Sequence, residues 1–286
     1  MMEIKVLAPA KINLMLDVTG KRDDGYHTLT TIMQSVSLAD IVEISETDTG
    51  KVIVSSDNES ISSNQDNIAY KAAVKFINFA NIQHNGLNIH IQKNIPSEAG
   101  LGGGSADAAA VLAGLNHMYK TDLSLEQLCS IGVSIGADVP FCIVGGTRLC
   151  VGIGEIMTET FPLEKCYIVI AKGNTGISTK SAFEKIDAVG FEKKTDYSLY
   201  DGSVQSVKNI GYNRFELVAD NYDVNFIKSN MLKMNADYSA MTGSGSAVFG
   251  FFSSVNQAEK CVCFFKEQDI YAEMCTPFSN GAAVIL

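Results

Sequence analysis

The most constraining stretch of the chain is IPSEAGLGGGSADAAA, residues 95–110, where Gly100, Gly102, Gly103 and Gly104 fall within five positions. A strand-forming run, Leu87–Gln92 (LNIHIQ), precedes it, and a helix-forming run, Ala106–Leu115, follows. In a regular element each glycine costs roughly 0.5–1 kcal/mol relative to alanine. A loop that carries four of them needs its backbone close to something. A strand, a Gly loop and a helix in sequence present unpaired N–H groups and the positive end of the helix dipole together. Phosphate is the natural ligand of such a unit. The stretch is neither of the two common nucleotide fingerprints. No lysine follows the glycines as in G-x-x-x-x-G-K-[ST], and position 105 is Ser where G-x-G-x-x-G requires Gly. Ser105 sits where it would cap the helix, or lend its hydroxyl to a Mg²⁺ on the phosphates. Asp107 suits a helix start for dipole reasons, and beside an anion it would need a cation, a backbone group or Lys11 as partner.

Composition narrows the class. A chain of 286 residues, 46% hydrophobic and 19% charged, has one or two ordinary globular domains. No apolar run reaches the ~18 residues of a membrane span, and the opening MMEIKVLAPAK lacks the apolar core of a signal peptide. A net charge of −10 argues against nucleic acid as a partner. The seven cysteines form no C-x-x-C pair and no metal spacing with the four histidines, so they are expected to be reduced thiols of a cytoplasmic protein.

Periodicity gives the organisation. Strands are expected at Lys5–Ala8, Ile12–Val18, His27–Val36 and Ile41–Ile44, then a helix over Asn67–Ala80. Ser124–Gly132 is a helix with Ser124 as N-cap and Gln127 at the capping-box position. Cys166–Ala171 (CYIVIA) is a buried strand and Thr179–Ala188 a helix. A polar stretch, Glu192–Asn213, leads to a helix at Asp223–Met234, a strand at Ala247–Phe252, a helix at Val255–Gln268 and a last strand at Ala282–Leu286. The fold class is α+β, in two domains, 1–160 and 161–286.

Three further segments carry polar groups where a cleft would need them. In APAKINLMLDV (8–18), Lys11 and Asn13 share one face of a strand. In GADVPF (136–141), Asp138 is either a cap or a presented carboxylate. In MTGSGSAVFGFF (241–252), a Gly–Ser loop runs into a buried strand.

Taken together, PAKINL (9–14), P-x-x-A-G-L-G-G-G-S-x-D-A-A-A (96–110) and T-G-S-G-S (242–246) resemble, in order, the three motifs of the GHMP kinases, a superfamily of small-molecule ATP kinases. GKRDDGYHTL (20–29), and GADVPF followed by Gly145–Gly146, resemble the branch of that family whose substrate carries a cytidine diphosphate group. The resemblance implies a ribosomal-S5-like N-terminal domain that binds ATP and a ferredoxin-like C-terminal domain that closes the substrate cleft. It implies ATP and Mg²⁺ as cofactors, and phosphorylation of an alcohol in the non-mevalonate isoprenoid pathway.

By the same resemblance Asp138 is the base that accepts the substrate hydroxyl proton, and Lys11 lies beside it to steady charge at the attacking oxygen. Pro96, Gly100, Leu101, Gly102, Gly103, Gly104, Ser105 and Ala106 wrap the ATP phosphates, with Ser105 as the one side chain for Mg²⁺. Asn67 and Lys93 fall on the adenosine side. Tyr26 stacks on cytosine and His27 hydrogen-bonds to it, with Phe183 on the other face of the base. Asn13, Gly243 and Ser244 contact the substrate. Two positions depart from the family pattern: Ala106 stands where a second Ser is common, and Arg214 where an acid is common. The competing expectations are a homoserine- or mevalonate-type GHMP kinase and a nucleotide-binding regulator without catalysis. The GYH stretch weighs against the first, and the retained Lys11 and Asp138 against the second.

Overall fold

The computed structural model describes residues 2–58, 65–192 and 196–285. Two long strands, β1 (Glu3–Lys21) and β2 (His27–Glu46), pair antiparallel along nearly their whole length. The four separate strands expected here are thus one hairpin, made continuous by alternating apolar residues that pass through both ends of the core. β3 (Val52–Ser56), helix α1 (Ile68–Ala80) and β4 (Leu87–Gln92) follow, with β3 parallel to β4. Then come α2 (Gly103–Met118), α3 (Leu125–Val133), α4 (Val139–Val144), β5 (Thr147–Gly152) and β6 (Ile156–Glu159). The expected capping box at Ser124 and Gln127 forms in full.

The second half begins with β7 (Tyr167–Lys172), α5 (Thr179–Val189), α6 (Val204–Ile210) and α7 (Tyr222–Lys233). It continues with β8 (Tyr238–Met241), β9 (Val248–Phe252), α8 (Val255–Lys266) and β10 (Tyr271–Cys275). Strand β11 (Ala283–Val284) ends it. Leu286, the end of the expected last strand, lies outside the described residues. β7 to β10 form a four-stranded antiparallel sheet in the order β10-β7-β9-β8, the 4-1-3-2 order of a ferredoxin-like β-α-β-β-α-β unit. β3, α4, β5, β6, α6, β8 and β10 have no counterpart among the elements expected from periodicity; each is seven residues or fewer, too short to carry a clear period.

One boundary differs from expectation. The sheets divide between Glu159 and Tyr167, near the expected position, but β11 leaves the second sheet and pairs with β1 of the first. The tail is held there backbone to backbone. Ala282 donates to the Cys142 carbonyl at 2.8 Å, and a Cβ on Gly145 would fall 2.0 Å from the Gly281 nitrogen. The Gly145–Gly146 pair therefore serves this crossing.

The CYIVIA strand is apolar on both faces because both are covered. Ile168 and Ile170 join the large core shared with β1, β2 and α2, whereas Val169 and Ala171 join a second core with α7 and α8. Helix α2 lies at the centre of the first domain. Its small side chains, Ala106 and Ala108 to Ala110, are fully buried, which lets it approach β1 and β2 closely.

Candidate active site

The three sequence motifs meet at the seam between the domains. A cleft of about 1080 Å³ is walled by the Gly loop, Lys11, Asn13, Asp138 and Phe183, with Gly243 and Ser244 opposite. Asn67, Lys93, Pro96, Leu101 and Ser105 also line it. Neither Tyr26 nor His27 is on this wall, and Ala106 is not either.

The loop is built by close backbone approach. Gly100 has φ +72°, and a Cβ there would lie 2.1 Å from the Thr242 carbonyl oxygen. Gly243 faces it, with its missing Cβ 2.8 Å from the Gly100 carbonyl oxygen. Ala247 donates to the Ala99 carbonyl at 3.1 Å. Gly100 and Gly243 thus join the second and third motifs. Gly102, at φ +71°, caps α2 with no side-chain hydrogen bond and leaves room for the Lys11 stem, whose Cγ is 3.1 Å from a would-be Cβ. The helix begins at Gly103, earlier than expected, so Ser105 is inside its first turn and not its cap. By helix geometry the amides of Gly103 to Ser105 have no partner within the helix. Ala106 departs from the expectation of a phosphate contact: its side chain is buried and its N–H is spent on the Gly102 carbonyl at 2.8 Å.

Lys11 sits where β1 breaks register with β2, between Pro9 and Lys11 and again between Asn13 and Met15. Its backbone N–H turns away from β2 to the Leu101 carbonyl at 3.0 Å. This bond ties the first motif to the second. The Lys11 ammonium donates to Asn13 Oδ1 at 2.8 Å and lies 3.5 Å from Asp138 Oδ2. The lysine side chain is 5% exposed and the Asp138 side chain 34% exposed, so the carboxylate opens to the cleft while the ammonium backs it. Asp138 occupies the N-cap position of α4 but makes no side-chain capping bond. Its carboxylate is not consumed by local structure.

Asn13 is buried and its amide is largely engaged. Oδ1 accepts from Lys11, from the Gly243 N–H at 3.0 Å and from the Thr242 hydroxyl at 3.3 Å, and Nδ2 donates to the Thr31 hydroxyl at 2.9 Å. Thr242, which opens the third motif but had no role expected of it, accepts the Asn13 backbone N–H at 3.0 Å. Ser244 bonds through its hydroxyl to Thr179 at 2.9 Å. Asn67 accepts the Ala69 N–H at 2.8 Å and caps α1.

Beneath the loop lies a buried charge cluster. Lys93 is held between Asp40 and Asp107, bonding Asp107 at 2.8 Å. Asp107 therefore pairs with Lys93, not with Lys11. Asp40 also accepts the N–H groups of Asn94 and Ile95, at 2.6 and 2.8 Å, which fixes the start of the loop. Asp107 Oδ1 has no partner among the described residues. Burial, together with the Asp40 carboxylate and against the Lys93 ammonium, pushes the Asp107 carboxyl up to about 8.

At the far end of the cleft the aromatic residues lie against each other. The His27 ring stacks on Phe183 with centroids 4.5 Å apart and planes 20° apart. A base inserted between two rings needs about twice the normal stacking distance, so no base fits between these two as they stand. Tyr26 is 59% exposed on the turn between β1 and β2, outside the cleft wall. Arg214 is buried against Asp17 at 2.6 Å and donates to the carbonyls of Gly190 and Glu192. Its place in the chain is structural. Asp17 was not singled out in the sequence, although an acid on a strand of this hydrophobicity requires a partner.

All seven cysteines are free thiols, and among the described residues no helix is long and apolar enough to cross a membrane. Among the described residues there is also no group of three or more side chains suited to hold a metal ion.

A deep seam cleft, an uncapped helix N-terminus behind a Gly loop and a Lys–Asp pair facing it define a kinase of the GHMP type. The family model for the GHMP kinases N terminal domain matches residues 67–146. The chain is 41% identical to 4-diphosphocytidyl-2-C-methyl-D-erythritol kinase of Clostridium tetani over 90% of this chain and 94% of that protein. It is 43% identical to the enzyme of that name from Caldicellulosiruptor bescii, over 92% and 96%. A crystal structure of 4-(cytidine 5'-diphospho)-2C-methyl-D-erythritol kinase superposes with a TM-score of 0.77 at 27% identity, covering 98% of this chain and all of that one. Homoserine kinase from Cytophaga hutchinsonii shares the fold, with a TM-score of 0.75 at 19% identity, over 99% and 97% of the two chains. The chain belongs to the family of 4-diphosphocytidyl-2-C-methyl-D-erythritol kinases, within the GHMP kinases.

Proposed function

We propose that the protein transfers the terminal phosphoryl group of ATP to the 2-hydroxyl of 4-(cytidine 5'-diphospho)-2-C-methyl-D-erythritol, in the cytoplasm, on the non-mevalonate route to isoprenoid precursors. The observation that carries this reading is the Lys11–Asp138 pair, 3.5 Å apart in the cleft onto which the uncapped start of α2 also opens.

ATP supplies the phosphoryl group, and this chain supplies position and charge. Leu101 to Ser105 line the cleft at the start of α2 and offer backbone donors at the positive end of the helix. Asp138 takes the proton of the substrate hydroxyl. Lys11, held by Asn13, steadies the negative charge that grows on that oxygen. The donor set suits a Mg²⁺ held mostly by phosphate and water, as that ion usually is, with Ser105 giving a hydroxyl. The charge such an ion neutralises is the one that builds between the phosphates. Asn67 and Pro96 both line the cleft, Asn67 for the adenosine side and Pro96 with the loop that wraps the phosphates. Lys93 lines the cleft on the same side and supports the loop from below through Asp40 and Asp107. Residues 1–160 carry ATP and the base, while 161–286 provide Phe183, Gly243 and Ser244 on the substrate side.

The test is ADP release by the purified protein with Mg²⁺–ATP, comparing the cytidine compound with homoserine, mevalonate and galactose. Release with the cytidine compound alone is expected. Release with another of the alcohols would keep the Lys–Asp site and discard the cytidine pocket. Nucleotide binding without release for any of them would make the protein a regulator.

A further inference from the structure

Lys21 ends β1 and His27 begins β2, and the two are cross-strand partners in the hairpin register. Both reach the same residue of α5. Lys21 bonds Asp187 Oδ2 at 2.5 Å, and His27 Nε2 lies 2.6 Å from Asp187 Oδ1. Asp187 stands four residues after Phe183, so one face of α5 offers a ring and, one turn on, a carboxylate. His27 is held by both: its plane by Phe183, its edge by Asp187. Its side chain is 8% exposed, and Nδ1 has no protein partner among the described residues.

We propose that Asp187 is a positioning residue that makes the site select cytosine over uracil, by fixing which nitrogen of His27 carries the proton. An ionised carboxylate only accepts hydrogen bonds, so His27 Nε2 must be the donor to it. Lys21 keeps Asp187 in that form: its hydrogen bond, followed by that of His27, holds the Asp187 carboxyl below its ordinary range. With the proton on Nε2, Nδ1 of the neutral ring is a bare acceptor. The 4-amino group of cytosine donates, and the 4-carbonyl of uracil can only accept. Nδ1 therefore gains a bond with the first and faces a lone pair with the second. A polar group left opposed in this way discriminates more strongly than a missing contact does. The inference rests on the proposed cytidine-diphosphate substrate and on the contact between His27 and its base that the family resemblance implies, and adds what sets the choice of base.

The experiment titrates CDP and UDP into the full chain, with the Gly-loop site saturated by a non-hydrolysable ATP analogue. It is run on the wild-type protein, Asp187→Asn and Asp187→Glu. The Asn amide can donate to Nε2, which moves the ring proton to Nδ1 and turns the acceptor into a donor. The CDP-over-UDP preference is expected to fall by about tenfold or more in Asp187→Asn, the scale of one hydrogen bond gained or opposed, and to return in Asp187→Glu. Side-chain ¹⁵N spectra of His27 should show the proton on Nε2 in the wild type and its shift towards Nδ1 in Asp187→Asn. A wild type that prefers CDP, with the same preference and the same His27 spectrum in Asp187→Asn, would overturn the inference and leave the proposed substrate standing. A wild type that binds neither nucleotide would overturn the proposed substrate, and this inference with it.

Discussion

At the Gly-loop end of the cleft, backbone meets backbone. Gly100 and Thr242, Gly243 and Gly100, Lys11 and Leu101 approach so closely that a single Cβ would not fit or a single backbone hydrogen bond joins two motifs. At the Phe183 end, side chains meet side chains. His27, Phe183 and Asp187 stand on a hairpin turn and a helix face, and Tyr26 is mostly in solvent. The first end is set by the folding of the core, backbone against backbone. The second depends on side-chain contacts, and His27 covers one face of Phe183. Phosphate binding needs fixed donors, which backbone supplies at little entropic cost on binding. Base recognition needs shape and hydrogen-bond polarity, which only side chains provide.

The contrast is sharpened by substitutions that should hurt folding at one end and spare it at the other. Lys93→Met leaves Asp40 and Asp107 buried and facing each other, and should cost about 3–5 kcal/mol in a denaturant titration. A loss under about 1 kcal/mol would mean that the cluster does not hold the loop. Gly100→Ala should cost about 2–4 kcal/mol, because both its left-handed backbone and the Thr242 carbonyl oppose a Cβ. Gly25→Ala, in the exposed turn before Tyr26, has a similar φ of +88° but nothing within 4 Å, so the backbone penalty of about 1–2 kcal/mol stands alone. Equal losses at both glycines would erase the distinction between the two ends.

A smaller effect belongs to Asp107. Its carboxyl is raised from 3.8 to about 8, so between those values the folded chain keeps a proton that the unfolded chain has released. This group's contribution to stability is complete below about pH 4 and is lost as pH rises through about 8. Asp107→Asn mimics the protonated form and should flatten the decline of the unfolding midpoint from mildly acid to mildly alkaline pH. An unchanged decline would place it in another group. Smallest of all, Tyr26→Ala should leave stability within about 0.5 kcal/mol, as an exposed side chain implies. It should nevertheless weaken binding of the cytidine compound. A large stability loss at Tyr26 would make the turn structural.

The same two ends differ in how far the sequence revealed them. The Gly loop was legible because a run of glycines between a strand and a helix has few other physical uses, and Lys11 and Asn13 because alternation put them on one face. What the glycines touch was not legible: the partner of Gly100 is more than a hundred residues away at Thr242, and nothing local encodes that approach. Lys93 as a buried bridge depended equally on Asp40, far along the chain. β11 was recognised as a strand, but its crossing to β1 is a tertiary choice that a two-residue pairing cannot announce. Asp187 carried a readable signal, an acid one helical turn after an aromatic, but it acquires meaning only once His27 is seen to reach both.

The most direct measurement compares chemistry with binding in Asp138→Asn, whose side chain keeps its shape and loses its capacity as a base. Turnover of the cytidine compound should drop by about 10²–10⁴, the usual scale of a lost general base, while a non-hydrolysable ATP analogue binds as it does to the wild type. Turnover near the wild-type rate would contradict the assignment of Asp138 and the reading of the cleft built on it. A proportionate loss of analogue binding would make Asp138 part of the nucleotide site instead.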